Sequence, residues 1–167
     1  CSYNCTYCTI PKARGISRSD SISNILKNIK FLENNNISEV VITGVNIGDY
    51  GRASSKSSLL KLLCEIENKS QIDRFRISSI EPNLLTKEII SFINRSSKFL
   101  PHFHIPLQSG NDKILKLMKR KYNTNMYKEK IQIIREVMPD ACIGVDIIVG
   151  FPNEFGDDFL KTFDFLE

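Results

Sequence analysis

Short runs of β-branched residues alternate with helix-period stretches along most of the chain, and this alternation limits the fold more than any other feature of the sequence. The β-branched runs predict four strands, over residues 40–43, 74–78, 102–107 and 141–149. Helical periodicity separates them, after a loop rich in Gly and Ser over residues 44–58 in the first interval. Short strands joined by helices form a parallel sheet with right-handed connections. We therefore expect an α/β fold that binds its ligands at the carboxyl ends of the strands.

The predicted strands have one apolar and one polar face, because side chains alternate across a strand. The apolar face carries Val40, Ile42, Phe75, Ile77, Phe103, Ile105, Leu107, Val145, Ile147 and Val149. The polar face carries Thr43, Arg76, Ser78, His102, His104, Gly144 and Asp146. Parallel sheets are normally apolar on both faces, so this polarity predicts a ligand-filled cavity. Within it Arg76 and Asp146 should each meet an opposite charge, a ligand or water.

The composition is that of one globular domain, with 41% hydrophobic and 25% charged residues among 167. A net charge of +4 is compatible with an anionic partner but is well below that of a dedicated nucleic-acid-binding domain. No apolar run approaches the roughly 20 residues that span a membrane. We expect a cytoplasmic protein.

Three of the five cysteines fall within the first eight residues, in a C-x3-C-x2-C array of Cys1, Cys5 and Cys8. An odd, clustered set argues against a disulfide framework and for metal ligation in a reducing compartment. Three thiolates can hold a 4Fe-4S cluster and leave its fourth iron open to a substrate. A zinc site or a closed structural cluster is the alternative, but either needs a fourth ligand, and Cys64 and Cys142 lie in apolar patterns typical of core residues.

This array, placed before β-α units, resembles that of the radical S-adenosylmethionine (radical SAM) superfamily. Further segments resemble its methylthiotransferases: residues 10–15, 43–51, 76–82, 102–110, 118–122 and 146–152. The amino-acid sequence of residues 78–82 and 102–110 most resembles that of the branch that acts on threonylcarbamoyladenosine in tRNA. Sister branches modify isopentenyladenosine in tRNA or an aspartate of a ribosomal protein. A non-enzymatic alternative is an iron-sulfur module that binds RNA and uses its cluster structurally.

The resemblance implies a partial (β/α)6 barrel without its first and last strands. It implies that residues 1–167 are the radical SAM core of a longer protein, flanked by an N-terminal methylthiotransferase domain with a second 4Fe-4S cluster and a C-terminal TRAM domain. The cofactors would be the cluster and S-adenosylmethionine. The partners would be tRNA and an electron donor such as a flavodoxin or ferredoxin. No membrane partner is expected.

The resemblance and the strand-end rule also assign residues to the site. The predicted cofactor-binding residues are Tyr7, near the adenine, and Thr43, Asn46, Ser79, Gln108, Arg120 and Asp146. Arg14 and Arg18 are predicted to bind the substrate near its entrance. Thr43 and Asn46 also fit a simple turn, and Asp146 a basic neighbour in place of a ribose. We expect His102 and His104 to be hydrogen-bonded and not metal ligands.

One departure from the family lies after Gly150, Phe151 and Pro152. The family commonly continues with Gly-Glu-Thr, where this chain has Asn153, Glu154 and Phe155. Asparagine can adopt positive φ, so we expect the turn to be kept.

Overall fold

The computed structural model describes residues 1–52 and 57–167, so part of the predicted loop over residues 44–58 lies outside the described residues. The strands are β1 (Glu39–Ile42), β2 (Arg74–Ile77), β3 (His102–His104) and β4 (Cys142–Gly144). The helices are α1 (Ile10–Arg14), α2 (Ile22–Asn34), α3 (Leu59–Lys69), α4 (Lys87–Arg95), α5 (Asp112–Leu117), α6 (Thr124–Val137) and α7 (Gly156–Leu166), and a 3-10 turn spans Ile47–Asp49. The predicted alternation of strands and helices is confirmed.

Side-chain caps explain where four of the helices begin. Ser21, Ser58, Thr86 and Asn123 each accept a hydrogen bond from the backbone N–H three residues further along, at the first turn of α2, α3, α4 and α6. Such caps satisfy N–H groups that the helix itself leaves unpaired. The cap at Asn123 also separates α5 from α6, which confirms the predicted break near residue 123.

All strand pairing is parallel in the described residues. β1 pairs with β2 so that Val40 faces Phe75, and β3 pairs with β4 so that Phe103 faces Ile143. A parallel bridge between Phe75 and Phe99, and a bond of 2.9 Å from Ile80 N to the His104 carbonyl, join the two pairs. The result is the partial barrel that the sequence predicted.

β3 and β4 are shorter than predicted, and the cause lies in the segment after β3. Pro106 has no N–H to donate, and Gln108 adopts a φ of 66°, which interrupts regular pairing. Pairing then resumes irregularly, because Gln108 N donates to the Asp146 carbonyl at 2.8 Å and Ile148 N donates to the Gln108 carbonyl at 2.9 Å. This brings Gln108 beside Asp146 at the carboxyl end of the sheet.

The apolar face predicted for β2 and β3 forms the core. Phe75, Ile105, Leu63 and Ile66 are all 0% exposed, and the rings of Phe75 and Phe99 stack 5.3 Å apart. Leu63 and Ile66 are on α3, which confirms that helices pack on this face.

Two predictions for β4 and the segment after it are wrong. Val145 and Val149 are 40% and 62% exposed, although the alternation of side chains along the strand placed them on the face that packs under helices. Val145 borders an open groove of about 750 Å³ between α6 and the end of α7 instead of lying beneath a helix. Cys142 is exposed and not a core residue, because it shares the polar face with Gly144 and Asp146.

No described helix has both the length and the apolar character needed to cross a membrane.

Gly48 allows the loop after β1 to lie against the loop after β2. A Cβ atom at position 48 would be 2.5 Å from the Cβ of Leu84, closer than packed atoms approach. Leu84 N in turn donates to the Glu81 carbonyl at 2.9 Å. Two loops that follow neighbouring strands are therefore in direct contact.

Glu33, near the end of α2, forms hydrogen bonds to the segment that joins α3 to β2. Its carboxylate accepts hydrogen bonds from Lys30 Nζ at 2.9 Å, from Ser70 Oγ at 2.8 Å and from the Gln71 N–H at 2.6 Å. The bond from Lys30, followed by that from the Gln71 N–H, lowers the pKa of Glu33 to about 2. The ionised form of Glu33 therefore stabilises the fold.

We expect Glu33→Gln to lower the free energy of unfolding at pH 6, and the difference from the native chain to shrink as the pH falls. A carboxyl with a depressed folded-state pKa contributes its full stability above its unfolded pKa of about 4.5, and loses it as the pH falls through about 2. Urea denaturation between pH 6 and 2 measures this. A difference that is independent of pH would contradict the assignment, and Glu136→Gln on the exposed face of α6 is the control.

Candidate active site

The loop that carries Cys1, Cys5 and Cys8 (the cysteine loop) is held by hydrogen bonds within itself, to Gly15 and to the end of α5. Cys8 N donates to the Cys5 carbonyl at 3.1 Å, and the backbone nitrogen of Cys1 donates to the Gly15 carbonyl at 3.1 Å. Thr6 holds the loop to α5 by donating from its N–H to the Met118 carbonyl at 3.2 Å and from its hydroxyl to the Leu117 carbonyl at 3.0 Å. The loop is thus fixed at both its start and its middle.

The three cysteines of this loop offer the thiol donors that a 4Fe-4S cluster requires. All three are free thiols and half-buried. Within residues 1–52 and 57–167, no group of three or more His, Cys, Asp or Glu is arranged to hold one ion. Thiolates on a 4Fe-4S cube bind different irons and so stand further apart than ligands around one zinc. The assignment of Cys1, Cys5 and Cys8 stays a prediction with which this loop is compatible.

Arg120 makes the densest set of contacts beside the cysteine loop, and its side chain is only 4% exposed. One terminal nitrogen donates to Cys5 Sγ at 3.2 Å and to the Tyr7 hydroxyl at 3.0 Å. The other binds the Glu81 carboxylate, and Nε donates to the Tyr122 hydroxyl at 3.1 Å. Arg120 thus binds the Glu81 carboxylate, and its assignment as a cofactor-binding residue stays a prediction.

Partial burial raises the pKa values of two residues that contact Arg120, namely Tyr7 and Glu81. It raises the pKa of Tyr7 to about 12, although the positive charge of Arg120 opposes the rise. Burial also raises the pKa of Glu81, and Arg120 again opposes it. Tyr7 consequently keeps its proton at neutral pH and offers a neutral hydroxyl.

Tyr7 also contacts the turn after β4. The rings of Tyr7 and Phe151 meet edge to face at 6.4 Å. Asn153 adopts a φ of 67°, which confirms that the turn is kept without glycine at this position. Glu154 caps the turn by accepting from Gly150 N at 2.5 Å and from Phe151 N at 3.1 Å.

A second polar group, on the polar face of the sheet (the lumen face), consists of Ser79, His104 and Asp146. The Ser79 hydroxyl lies 2.5 Å from His104 Nδ1, and His104 Nε2 lies 3.1 Å from the Asp146 carboxylate. The prediction of a hydrogen-bonded His104 is confirmed, and Asp146 meets a basic neighbour, one of its two predicted partners. The Asp146 side chain remains 55% exposed, so it is also open to a ligand.

A cleft of about 340 Å³ lies between the cysteine loop and the end of β1. The predicted site residues that line it are Cys1, Arg14, Arg18, Thr43 and Asn46. Both polar atoms of the Asn46 amide are buried without a hydrogen-bond partner in the described residues. Because an unpaired buried amide is costly, the cleft is suited to a polar ligand that would pair with it.

Tyr3 is hydrogen-bonded to the loop after β2 and was not predicted from the sequence. Asn83 Nδ2 donates to its hydroxyl at 2.7 Å. Burial raises the pKa of Tyr3, and the charges of Glu81 and Asp49 add to this. Tyr3 therefore links the cysteine loop to the loop after β2. An aromatic residue within the cysteine array was the available signal.

The ion pair between Glu81 and Arg120 was also missed. The two residues are 39 positions apart, and each could have been taken for a surface charge. Glu81 follows a predicted strand directly, so its place at the carboxyl end of the sheet was visible, but its partner was not.

Arg76 meets an opposite charge, as predicted. Its guanidinium contacts the Glu39 carboxylate, which also binds Arg74 at 2.9 Å. This pair lies at β1 and β2, where Val41 faces Arg76 across the ladder. The prediction of a hydrogen-bonded His102 is not met at Nδ1, which is buried and, like Oγ of Ser78, has no partner within the described residues.

Comparison with known proteins agrees with this geometry. Residues 1–166 match the radical SAM superfamily. The threonylcarbamoyladenosine tRNA methylthiotransferase MtaB of Bacillus subtilis is 36% identical over 168 residues, which cover 100% of this chain and 37% of that protein. A tRNA-2-methylthio-N(6)-dimethylallyladenosine synthase of Thermodesulfovibrio yellowstonii is 41% identical over 167 residues, covering 100% of this chain and 38% of that protein. The chain thus spans well under half the length of these relatives.

Solved structures support the fold. The radical S-adenosylmethionine methyltransferase TsrM of Kitasatospora setae, with cobalamin and a [4Fe-4S] cluster bound, superposes with a TM-score of 0.79. The match covers 98% of this chain and 32% of TsrM at 15% identity. The cobalamin-dependent radical enzyme OxsB, with aqua-cobalamin and S-adenosylmethionine bound, gives a TM-score of 0.67 at 16% identity, covering 88% of this chain and 22% of OxsB. The chain belongs to the radical SAM superfamily, whose members use a 4Fe-4S cluster and S-adenosylmethionine.

Proposed function

We propose that the chain is the core of a tRNA methylthiotransferase that adds a methylthio group to C2 of N6-threonylcarbamoyladenosine beside the anticodon. The observation that carries the proposal is the match of the whole chain, at 36% and 41% identity, to relatives named for methylthiolation of tRNA adenosines. Those names differ in the N6 substituent, threonylcarbamoyl or dimethylallyl. The amino-acid sequence of residues 78–82 and 102–110 favours a threonylcarbamoyl substituent. A dimethylallyl substituent is the second candidate, because the relative named for it has the higher identity.

The thiolates of Cys1, Cys5 and Cys8 would hold the 4Fe-4S cluster. When bound, the cluster and S-adenosylmethionine supply one-electron cleavage of a sulfur–carbon bond, which yields 5′-deoxyadenosine after hydrogen abstraction. The chain's own contribution is to orient the reactants and to exclude water. The cysteine loop is suited to the first task, since Thr6 fixes it to α5 and the Tyr7 ring packs edge to face on Phe151.

Polar groups around the loop would position the cofactor. The unpaired amide of Asn46, with Thr43, would bind it in the cleft beside Cys1. On the lumen face, the Asp146 carboxylate is held by His104 and still open, which suits a ribose hydroxyl. The protonated hydroxyl of Tyr7 is suited to donate or accept one hydrogen bond near the adenine. Ser79 and Gln108 would complete this side of the site.

The proposed partners follow from the charge of the cleft and from the family resemblance. Arg14 and Arg18 line the cleft beside the cysteine loop and would bind tRNA phosphates at the substrate entrance. An electron donor such as a flavodoxin or ferredoxin would reduce the cluster. A sulfur-handling N-terminal domain with a second cluster, and a TRAM domain, would complete the enzyme. Such an enzyme would act in the cytoplasm.

Replacing any of Cys1, Cys5 or Cys8 with alanine should abolish most of the bound iron and sulfide after anaerobic reconstitution. Each thiolate binds its own iron, so two ligands cannot hold the cube. Iron and sulfide analysis with the visible absorption spectrum measures the loss. Cys64→Ala and Cys142→Ala are matched controls, because these cysteines lie on α3 and β4. Equal loss in a control would refute the ligand assignment.

Reduction with dithionite in the presence of S-adenosylmethionine should yield 5′-deoxyadenosine from the protein that carries this chain. Asn46→Ala should reduce the yield, since it removes a cleft amide that has no hydrogen-bond partner among residues 1–52 and 57–167. Quantification of 5′-deoxyadenosine by chromatography and mass spectrometry provides the measurement. A cluster-loaded protein that yields none would instead favour a structural iron-sulfur module that binds RNA.

Transfer RNA from cells that lack the gene should contain threonylcarbamoyladenosine without its methylthio group. Nucleoside analysis by mass spectrometry distinguishes the substrates, because the alternative enzymes leave a different nucleoside unmodified. Loss of methylthio groups from dimethylallyladenosine alone would shift the assignment to that branch. Unchanged nucleosides would leave a ribosomal-protein aspartate as the remaining family substrate.

A further inference from the structure

A positive charge touches the sulfur of one predicted cluster ligand. Arg120 donates to Cys5 Sγ at 3.2 Å from a side chain that is only 4% exposed. The same guanidinium binds the Glu81 carboxylate, whose side chain is 15% exposed. A cation and an anion thus lie side by side next to the cysteine loop and largely out of solvent.

The end of α5 holds Arg120 and the cysteine loop in register. Met118 closes the helix, and its carbonyl accepts from Thr6 N at 3.2 Å. Lys119 follows with a φ of 58°, and Arg120 N returns to the Leu115 carbonyl at 3.0 Å. This turn directs the Arg120 side chain back toward the residue that precedes Thr6. The geometry of the contact with Cys5 is therefore built into the backbone.

Tyr122 fixes the guanidinium from the other side. Its hydroxyl accepts from Arg120 Nε at 3.1 Å and itself lies 2.8 Å from the carbonyls of Pro106 and Leu107. The Tyr122 ring is buried, with the Arg120 guanidinium 5.0 Å from its centroid. A side chain held at all three nitrogens has little freedom to leave Cys5.

Hydrogen bonds to cluster sulfurs and nearby charges are the means by which a protein adjusts the potential of an iron-sulfur cluster. Adding an electron makes a cluster more negative. A cation and an N–H donor beside a ligand sulfur stabilise the reduced form, and an adjacent anion opposes them. Low solvent exposure increases both effects, because water screens the charges less.

We propose that Arg120 and Glu81 are positioning residues that set the reduction potential of the cluster in opposite directions. Arg120 makes the cluster easier to reduce through its charge and its bond to Cys5, and Glu81 limits this gain while holding the guanidinium in place. This role depends on the proposed function, since it requires a cluster on Cys1, Cys5 and Cys8.

The test is a redox titration of the reconstituted protein that carries this chain, without S-adenosylmethionine, followed through the electron paramagnetic resonance signal that Cys5→Ala removes. Arg120→Gln should lower the ratio of reduced to oxidised cluster about tenfold at the potential where the native chain is half reduced, a shift of about 59 mV for one electron. Glu81→Gln should raise the ratio. The double variant should lie between the two single variants, which measures their coupling.

Arg95→Gln is the matched control, because it removes the same charge from an exposed position on α4 and should leave the potential unchanged. Single variants that shift in the same direction, or that match the native chain, overturn the proposal while the proposed function stands. If Arg120→Gln binds no cluster, Glu81→Gln decides: a higher ratio supports the proposal, and an equal or lower one overturns it. A native chain that forms no 4Fe-4S signal overturns the proposed function as well.

Discussion

The contact of the Arg120 guanidinium with Glu81 and Cys5 joins parts of the fold that are far apart in the chain. Glu81 follows β2, Cys5 lies near the start, and Tyr122, which holds Arg120, is anchored to the segment after β3. A buried ion pair that loses one partner typically destabilises a protein by about 3–5 kcal/mol, since the other charge stays in low dielectric. The cysteine loop, the sheet ends and α5 therefore depend on one another for their placement.

Much of the fold could be predicted from local chemistry. Ser21, Ser58 and Asn123 cap helices because their side chains accept from a free N–H, a property that short sequence windows reveal. The positive φ of Asn153 was predictable for the same reason. Parity also placed Phe75 and Arg76 on opposite faces correctly. Each of these features involves residues within a few positions of one another.

What could not be predicted depends on distant partners. Parity assigns Val145 and Val149 to one face, but it does not say which element covers that face, and both are exposed. The alternation of side chains placed His104 and Asp146 on one polar face, yet it gave no sign that Ser79 would join them through His104 Nδ1. The unpaired amide of Asn46 emerged only once the surrounding chain was in place.

The close approach at Gly48 has a consequence for how the site can evolve. The loop that carries Asn46 lies against Leu84, which hydrogen-bonds to the Glu81 carbonyl, and Glu81 binds Arg120. A side chain at position 48 would push on Leu84 and so displace the carboxylate beside the cysteine loop. Changes in the proposed cofactor contacts and changes in the electrostatics around the proposed cluster ligands are thus mechanically coupled, and a mutation that adapts one is expected to need compensation in the other.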